Sequence, residues 1–377
     1  MEYQIKKYDS GMKEEVASLT QPLWSEDPRL NRSYFEWKYE RNPYSETPRV
    51  YVALHGDKVV GMRGLFGARW EVDSLGNTMV IFCADDLIIH PDHRNKNLFG
   101  RIMQAAYNDL SAMGHDYVFN LSASPVNFVA SIATGWRKTA PVQALIRPPS
   151  RRLLRRRLKN RLQNLRFLRR FSNSPIWLSQ AELQPFRSLD NHGLKASRRM
   201  DSRITIEKNP RSQDMANFVN RLNDDSRIKH IRDIEYFNWR FQNPLLEHRF
   251  LYWDDGGLKG YLVLGHAISR VKDFDRIRLL DWEGIDENIR ADLLKAAIDA
   301  GQYHEMITWS ASFSSLSKDL LLKVGFKPLQ KHGQMNHQLP CVLVRAVRND
   351  LLKCEWVLKN KRLLDLDNWC LRLLYGL

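Results

Sequence analysis

A ten-residue stretch of this chain is written twice, and that repetition limits the possible folds more than any other feature. Tyr34-Phe35-Glu36-Trp37-Lys38-Tyr39-Glu40-Arg41-Asn42-Pro43 returns, one residue shorter, as Tyr236-Phe237-Asn238-Trp239-Arg240-Phe241-Gln242-Asn243-Pro244. Each copy leads into an extended run, a Gly-containing turn (Gly56-Asp57-Lys58; Asp255-Gly256-Gly257) and a second apolar run, the pattern of a β-hairpin. Further on, Ser122-Ala123-Ser124 matches Ser310-Ala311-Ser312, and Gly135-Trp136 matches Gly325-Phe326. Matches in the same order predict a duplicated unit of domain size.

Within each unit the order is strand, helical region, hairpin, strand, helix, strand, helix. In the first copy Val80 to Ile89 reads as the middle strand. Leu98, Ile102, Ala105, Ala106 and Leu110 follow at helical spacing, up to Gly114. Alternating strands and helices predict mixed α/β sheets in two tandem units. The expected divisions are 1–146, a basic segment 147–198, a second unit 199–340 and a packing tail 341–377. Trp37 and Trp239 are expected in the core of the helical regions, with Asn42-Pro43 and Asn243-Pro244 as helix stops.

No apolar run reaches the roughly 18 residues of a membrane span, and no signal-peptide core opens the chain. The four cysteines lack metal-ligand spacing, so reduced thiols and a cytoplasmic location are expected. Cys83, inside an apolar strand, reads as core. His90 and His93 lack a third ligand, so no metal site is expected.

The net charge of +15 is concentrated: Arg147 to Arg170 holds ten arginines and one lysine, and no acidic residue occurs between Asp116 and Glu182. Leu154, Leu158, Leu162 and Leu165 lie near one helical face, so this is a basic amphipathic segment. It suits an anionic membrane surface, which would place the protein at the inner membrane face. Packing between the two units is the alternative, and nucleic acid is a rival that the shortage of aromatics disfavours.

The stretch Asp85-Asp86-Leu87-Ile88-Ile89-His90-Pro91-Asp92-His93-Arg94-Asn95-Lys96-Asn97-Leu98-Phe99-Gly100 carries the chemistry. A strand gives way to a short basic loop and then to a helix, whose first N–H groups lack internal partners and whose dipole end is positive. That arrangement cradles phosphate. A solvated surface loop would carry the same charges.

This stretch resembles the coenzyme A motif of the GNAT acyltransferase superfamily, V-x-P-x-x-R/Q-x-x-G-x-G/A at a strand end. Ile89 stands for the Val, Pro91 for the Pro and Arg94 for the Arg/Gln. Asn97 and Phe99 replace the two small residues. Asn97 is the best non-Gly choice for a left-handed backbone; Gly100 would restore close approach one residue late. A loop ending in Leu-Phe is similar to those of tandem GNAT-like proteins from bacterial cell-surface polysaccharide loci. The resemblance covers most of 1–140 and, more faintly, 200–335.

It implies acetyl-CoA, or another acyl-CoA, held by Leu87, Ile88, Ile89, Arg94, Asn95, Lys96, Asn97, Leu98, Phe99, Gly100 and Asn127. The implied acceptor is a small amine or amino sugar. Asn127 would reach the pantetheine arm or cap its helix. Asp85 and Asp86 are the candidate bases; adjacent in a strand, they should point to opposite faces, only one reaching a cleft. The position of the usual acid is Ser131. In the second unit, Asp281 aligns with Asp85 and Ala296-Ala297 with Ala105-Ala106, but five residues are missing between them, where the phosphate loop would be. Coenzyme A is therefore expected in the first unit only. A Fem-like transferase using charged tRNA and a catalytically degenerate binding pair are the competing readings.

Overall fold

The computed structural model describes residues 2–73, 76–122, 125–148, 200–222, 226–268, 276–301, 305–329 and 340–376. The basic segment, apart from 147 and 148, lies outside them.

The first repeat runs β1 (Tyr3–Lys7), α1 (Lys13–Leu19), α2 (Pro28–Phe35), β2 (Arg49–His55), β3 (Lys58–Glu71), β4 (Thr78–Ile89), α3 (Leu98–Ala112), β5 (Tyr117–Asn120), α4 (Pro125–Ala133), β6 (Arg137–Pro141) and β7 (Ala144–Arg147). The second runs β8 (Ile204–Glu207), α5 (Ser212–Arg221), β9 (Lys229–His230), α6 (Ile234–Arg240), β10 (Leu246–Asp254), β11 (Leu258–Ala267), β12 (Arg276–Gly284), α7 (Glu287–Ala300), β13 (Glu305–Trp309), α8 (Ser315–Lys323), β14 (Lys327–Pro328) and β15 (Cys341–Ala346). Both repeats follow the order read from the sequence. The hairpin turns use Gly56 (φ 62°), Gly256 (φ 60°) and Gly257 (φ 127°), left-handed positions that a Cβ would strain.

Two mixed sheets result. One is ordered β1-β2-β3-β4-β5-β15-β6, with β9 also on β3; the other is β14-β7-β13-β12-β11-β10-β8. The two orders match strand for strand, except that each repeat's last strand sits in the other repeat's sheet. β15 pairs with β5 and β6, while β7 pairs with β13 and β14. The 341–377 stretch thus supplies a central strand as well as packing: Leu363, Trp369, Leu374 and Tyr375 are buried in a core that joins both repeats.

That joint core is aromatic. Trp37 stacks on Trp239 (centroids 5.1 Å, planes at 15°), Phe237 packs on Phe241, and Trp369 meets Trp70 and Phe119. Trp37 and Trp239 therefore belong to one shared core rather than to two separate ones. Smaller cores lie under α7 in the second repeat and under α3 in the first. Stacked and edge-on aromatic pairs contribute about 0.5–1.5 kcal/mol each beyond their burial.

Candidate active site

In both repeats the middle strand parts from the strand that follows it, β4 from β5 and β12 from β13. β4 and β5 are parallel and register only at Cys83 against Phe119, and β12 and β13 only from Arg276–Arg278. Beyond those points each middle strand has an open edge on one side. On its other side β4 continues along β3, through Ile88–Met62 and Ile89–Gly61.

At the parting in the first repeat, Asp85 and Asp86 converge. The expectation that they face opposite ways fails, because Asp86 adopts a left-handed backbone (φ 53°) in a bulge opposite Arg63. Both carboxylates accept from Lys38 Nζ at 2.7 Å, and Tyr34 Oη lies 3.0 Å from the same ammonium. Lys38 reaches them from a widened turn after α2, where Arg41 N–H bonds back five residues to Glu36. Tyr39 Oη donates to Asp86 at 2.6 Å, and Trp24 Nε1 donates to it at 2.8 Å. Ser122 Oγ donates to Asp85 at 2.7 Å across the gap between the strands. Gly64 makes room for this: a Cβ there would come within 2.1 Å of Tyr39 Oη.

The two carboxylates are not equivalent. Asp86, with its side chain 10% exposed, has bonds on both oxygens from Lys38, Tyr39 and Trp24. Asp85 is 20% exposed and lies beside the exposed Ser122. Burial alone would lower the Lys38 pKa, but Asp85 and Asp86 carry it well above its usual range. Burial raises Asp85, and Lys38 with Ser122 more than offsets that, leaving it below the ordinary carboxylate value. Lys38 and Asp85 form an ion pair, and Asp86 accepts from the same ammonium.

The phosphate-binding candidates stand at the other end of the opening. Arg94, Asn95, Lys96 and Asn97 are exposed between β4 and α3. Arg94 Nε is 3.3 Å from the Ile89 carbonyl. Asn97 is left-handed (φ 53°, ψ 25°), as expected, and Asn95 is too (φ 59°). Asn97 makes no side-chain cap to α3, so the helix presents its first N–H groups uncapped by it. Leu98 is buried, and Phe99 turns into the core beneath α3, leaving the loop rim polar. Gly100 opens space for Asn97 itself, since a Cβ there would lie 2.8 Å from Asn97 Oδ1. Leu87, Ile88 and Ile89 line the open edge of β4. Asn127 sits inside the first turn of α4 rather than before it, so it is not a cap. Ser131 is buried, and Cys83 is buried with its thiol pKa pushed up by desolvation. These residues suit an acyl-CoA: a basic, uncapped helix start for the pyrophosphate and an open strand edge for the pantetheine arm.

The second repeat differs at the equivalent helix. α7 starts with Asp286 capping Ile289 N–H, followed by Glu287, so its N-terminus is already satisfied by negative charge. Asp281, the counterpart of Asp85, is fully buried and accepts from Arg232 at 2.9 Å and from Tyr261 at 2.8 Å.

Lys38, Tyr39, Ser122 and Trp24 are the site residues that sequence reasoning missed. One signal was available: the repeated motif keeps a cation at Lys38 and Arg240.

Residues 4–131 match the acetyltransferase (GNAT) domain. A search of the curated proteins finds no match. Among solved structures, an Enterococcus faecalis protein called a probable N-acyltransferase is 13% identical, with 92% of this chain and 73% of that one covered, at a TM-score of 0.56. A GCN5-related N-acetyltransferase from Anabaena variabilis is 11% identical over 92% and 73%, at 0.54. A tandem GNAT protein from the clavulanic acid biosynthesis pathway is 10% identical over 92% and 99%, at 0.50. At such identities the likeness is one of fold. The chain is built as a mixed α/β tandem pair whose first repeat is similar to a GNAT acetyltransferase domain.

Proposed function

We propose that the protein is an acyl-CoA-dependent N-acyltransferase, with acetyl-CoA as donor and a small amine, such as an amino sugar, as acceptor. The observation that carries this reading is the contrast between the two repeats. α3 begins with exposed Arg94 and Lys96 and no cap from Asn97, whereas α7 begins with Asp286 and Glu287. Only the first suits a pyrophosphate.

Bound donor would supply the thioester carbonyl. Arg94, Lys96 and the first N–H groups of α3 hold its phosphates, and Leu87 to Ile89 align its arm along β4. Asp85 draws in the acceptor's ammonium group at the parting of β4 and β5. A carboxylate held below its ordinary range is a weak proton acceptor. Asp85 therefore orients the amine, whose ammonium proton is lost to solvent at the open edge; as the new C–N bond forms and the thioester C–S bond breaks, the departing coenzyme A thiolate takes up a proton from solvent. Asp86, fully engaged with Lys38, Tyr39 and Trp24, fixes Asp85 in place. Attachment of 147–170 to an anionic membrane surface would bring the enzyme to lipid-linked amino sugars. The test is release of free coenzyme A from acetyl-CoA in the presence of a panel of amines and amino sugars. Release that depends on an amine supports the reading. Release of coenzyme A indifferent to every amine would count against it.

A further inference from the structure

The parting of β12 and β13 in the second repeat opens into a cavity of about 690 Å³, large enough for a sugar-sized molecule. Its wall holds five cationic side chains (Arg227, Lys229, Arg232, Arg290, Arg372) against two carboxylates, Glu71 and Glu283. His230, also in the wall, is kept neutral: burial, with Arg240 and Arg232, pushes its pKa well below the usual value.

Three guanidinium groups converge on one carboxylate. Glu283 takes Arg232 at 2.8 Å, Arg372 at 2.9 Å and Arg290 at 3.5 Å. Arg232 arrives from the segment before α6, Arg372 from the C-terminal tail and Arg290 from α7. Each guanidinium carries five N–H donors; besides the carboxylates, Arg232 donates to Tyr261 Oη, Arg290 to Ser317 Oγ and Arg372 to the Leu371 carbonyl. Arg290 Nε is buried and has no acceptor among the described residues. Trp282 and Phe313, edge to face at 5.6 Å, add an apolar wall.

We infer that this cavity is a second binding site, for a small molecule bearing an oxyanion on a compact carbon skeleton: a phosphate ester or a carboxylate. Forked guanidinium donors match the paired oxygens of either group. Coenzyme A is the wrong occupant, because the acidic start of α7 repels its pyrophosphate. The site stands apart from Asp85, in the pseudo-equivalent place of the other repeat. It can therefore hold its ligand while the first repeat holds the donor.

Calorimetric titration of the full chain tests this, with glucose 1-phosphate, citrate and uncharged glucose as probes. Glucose 1-phosphate or citrate should bind once per chain, and which of them binds identifies the anion as phosphate or carboxylate; glucose should not bind. Arg290→Gln should weaken that binding at least tenfold. Ile285→Glu, which adds a negative charge at an exposed position on the wall, should do the same without disturbing the fold. Arg94→Glu should leave it unchanged, which separates this site from the donor loop. Binding that is lost with Arg94→Glu, indifferent to Arg290 and Ile285, equal for glucose, or absent for both anions would overturn the inference.

Discussion

Trp37 and Trp239 each donate the indole N–H to the other's backbone carbonyl, at 2.7 and 2.9 Å, while their rings stack face to face. They occupy the same position in the repeated motif, so a local two-fold axis passes between them, as in an isologous dimer interface. Trp37→Phe keeps a ring but removes the indole donor to the Trp239 carbonyl, which still accepts from Gln242 N–H at 3.1 Å, and should cost about 0.5–1.5 kcal/mol. Trp37→Ala should cost about 3–5 kcal/mol. Denaturant midpoints of the two variants check this, and equal, small effects would contradict it.

Exchange of β7 and β15 makes each sheet dependent on the other repeat. Residues 1–198 alone would leave a gap between β5 and β6, with unpaired backbone on both sides. Either half expressed alone should therefore be insoluble or lack a cooperative melt, whereas co-expression should yield a soluble complex. A half that melts cooperatively alone would contradict the exchange.

The order of elements was legible because periodicity and glycine turns are local properties. Asn97 was readable for the same reason, since a left-handed position before a helix has few non-Gly solutions. The strand exchange was not, because β7 and β15 satisfy either sheet by composition and only three-dimensional closure selects the partner. The Lys38 cluster was hidden too. Alternation along β4 separates Asp85 from Asp86, and the left-handed turn at Asp86 that reunites them depends on Lys38, Tyr39 and the space above Gly64, all distant in sequence. Even the repeated cation was ambiguous: Arg240, the partner of Lys38, donates instead to the Leu374 carbonyl.

Acid should destabilise the fold through Glu283. Burial would raise its pKa, but Arg372, Arg232 and Arg290 bring it down from 4.5 to about 2. A folded-state pKa below the unfolded one gives stability that is present above the unfolded value and lost as pH falls toward the folded one. The contribution, on the order of 3 kcal/mol, should be intact above about pH 4.5 and gone by about pH 2. Lys38 has the opposite sign, so its contribution persists through neutral pH and fades only above its ordinary range. Melting curves of wild type and Glu283→Gln between pH 2 and 7 test the first window, and the variant should show the shallower slope.

The inequivalence of the two carboxylates gives a divided result. Asp85→Asn should lower turnover at least tenfold, with cofactor affinity nearly intact; it also gives up a 2.7 Å ion pair to Lys38, but from the more exposed of the two carboxylates, so its loss of stability should be the smaller one. Asp86→Asn should instead destabilise the protein by about 3–5 kcal/mol, since it breaks a buried ion pair. Steady-state kinetics and thermal melts of both variants decide this. The same profile for both would mean that the pair acts as one unit.

Calorimetric titration with acetyl-CoA decides whether the first repeat alone carries the donor site, at the start of α3. One molecule per chain should bind. Arg94→Glu should weaken that binding at least tenfold, because a negative side chain replaces a positive one beside the helix N-terminus. Two equivalent sites, or an affinity unchanged by Arg94→Glu, would contradict the account.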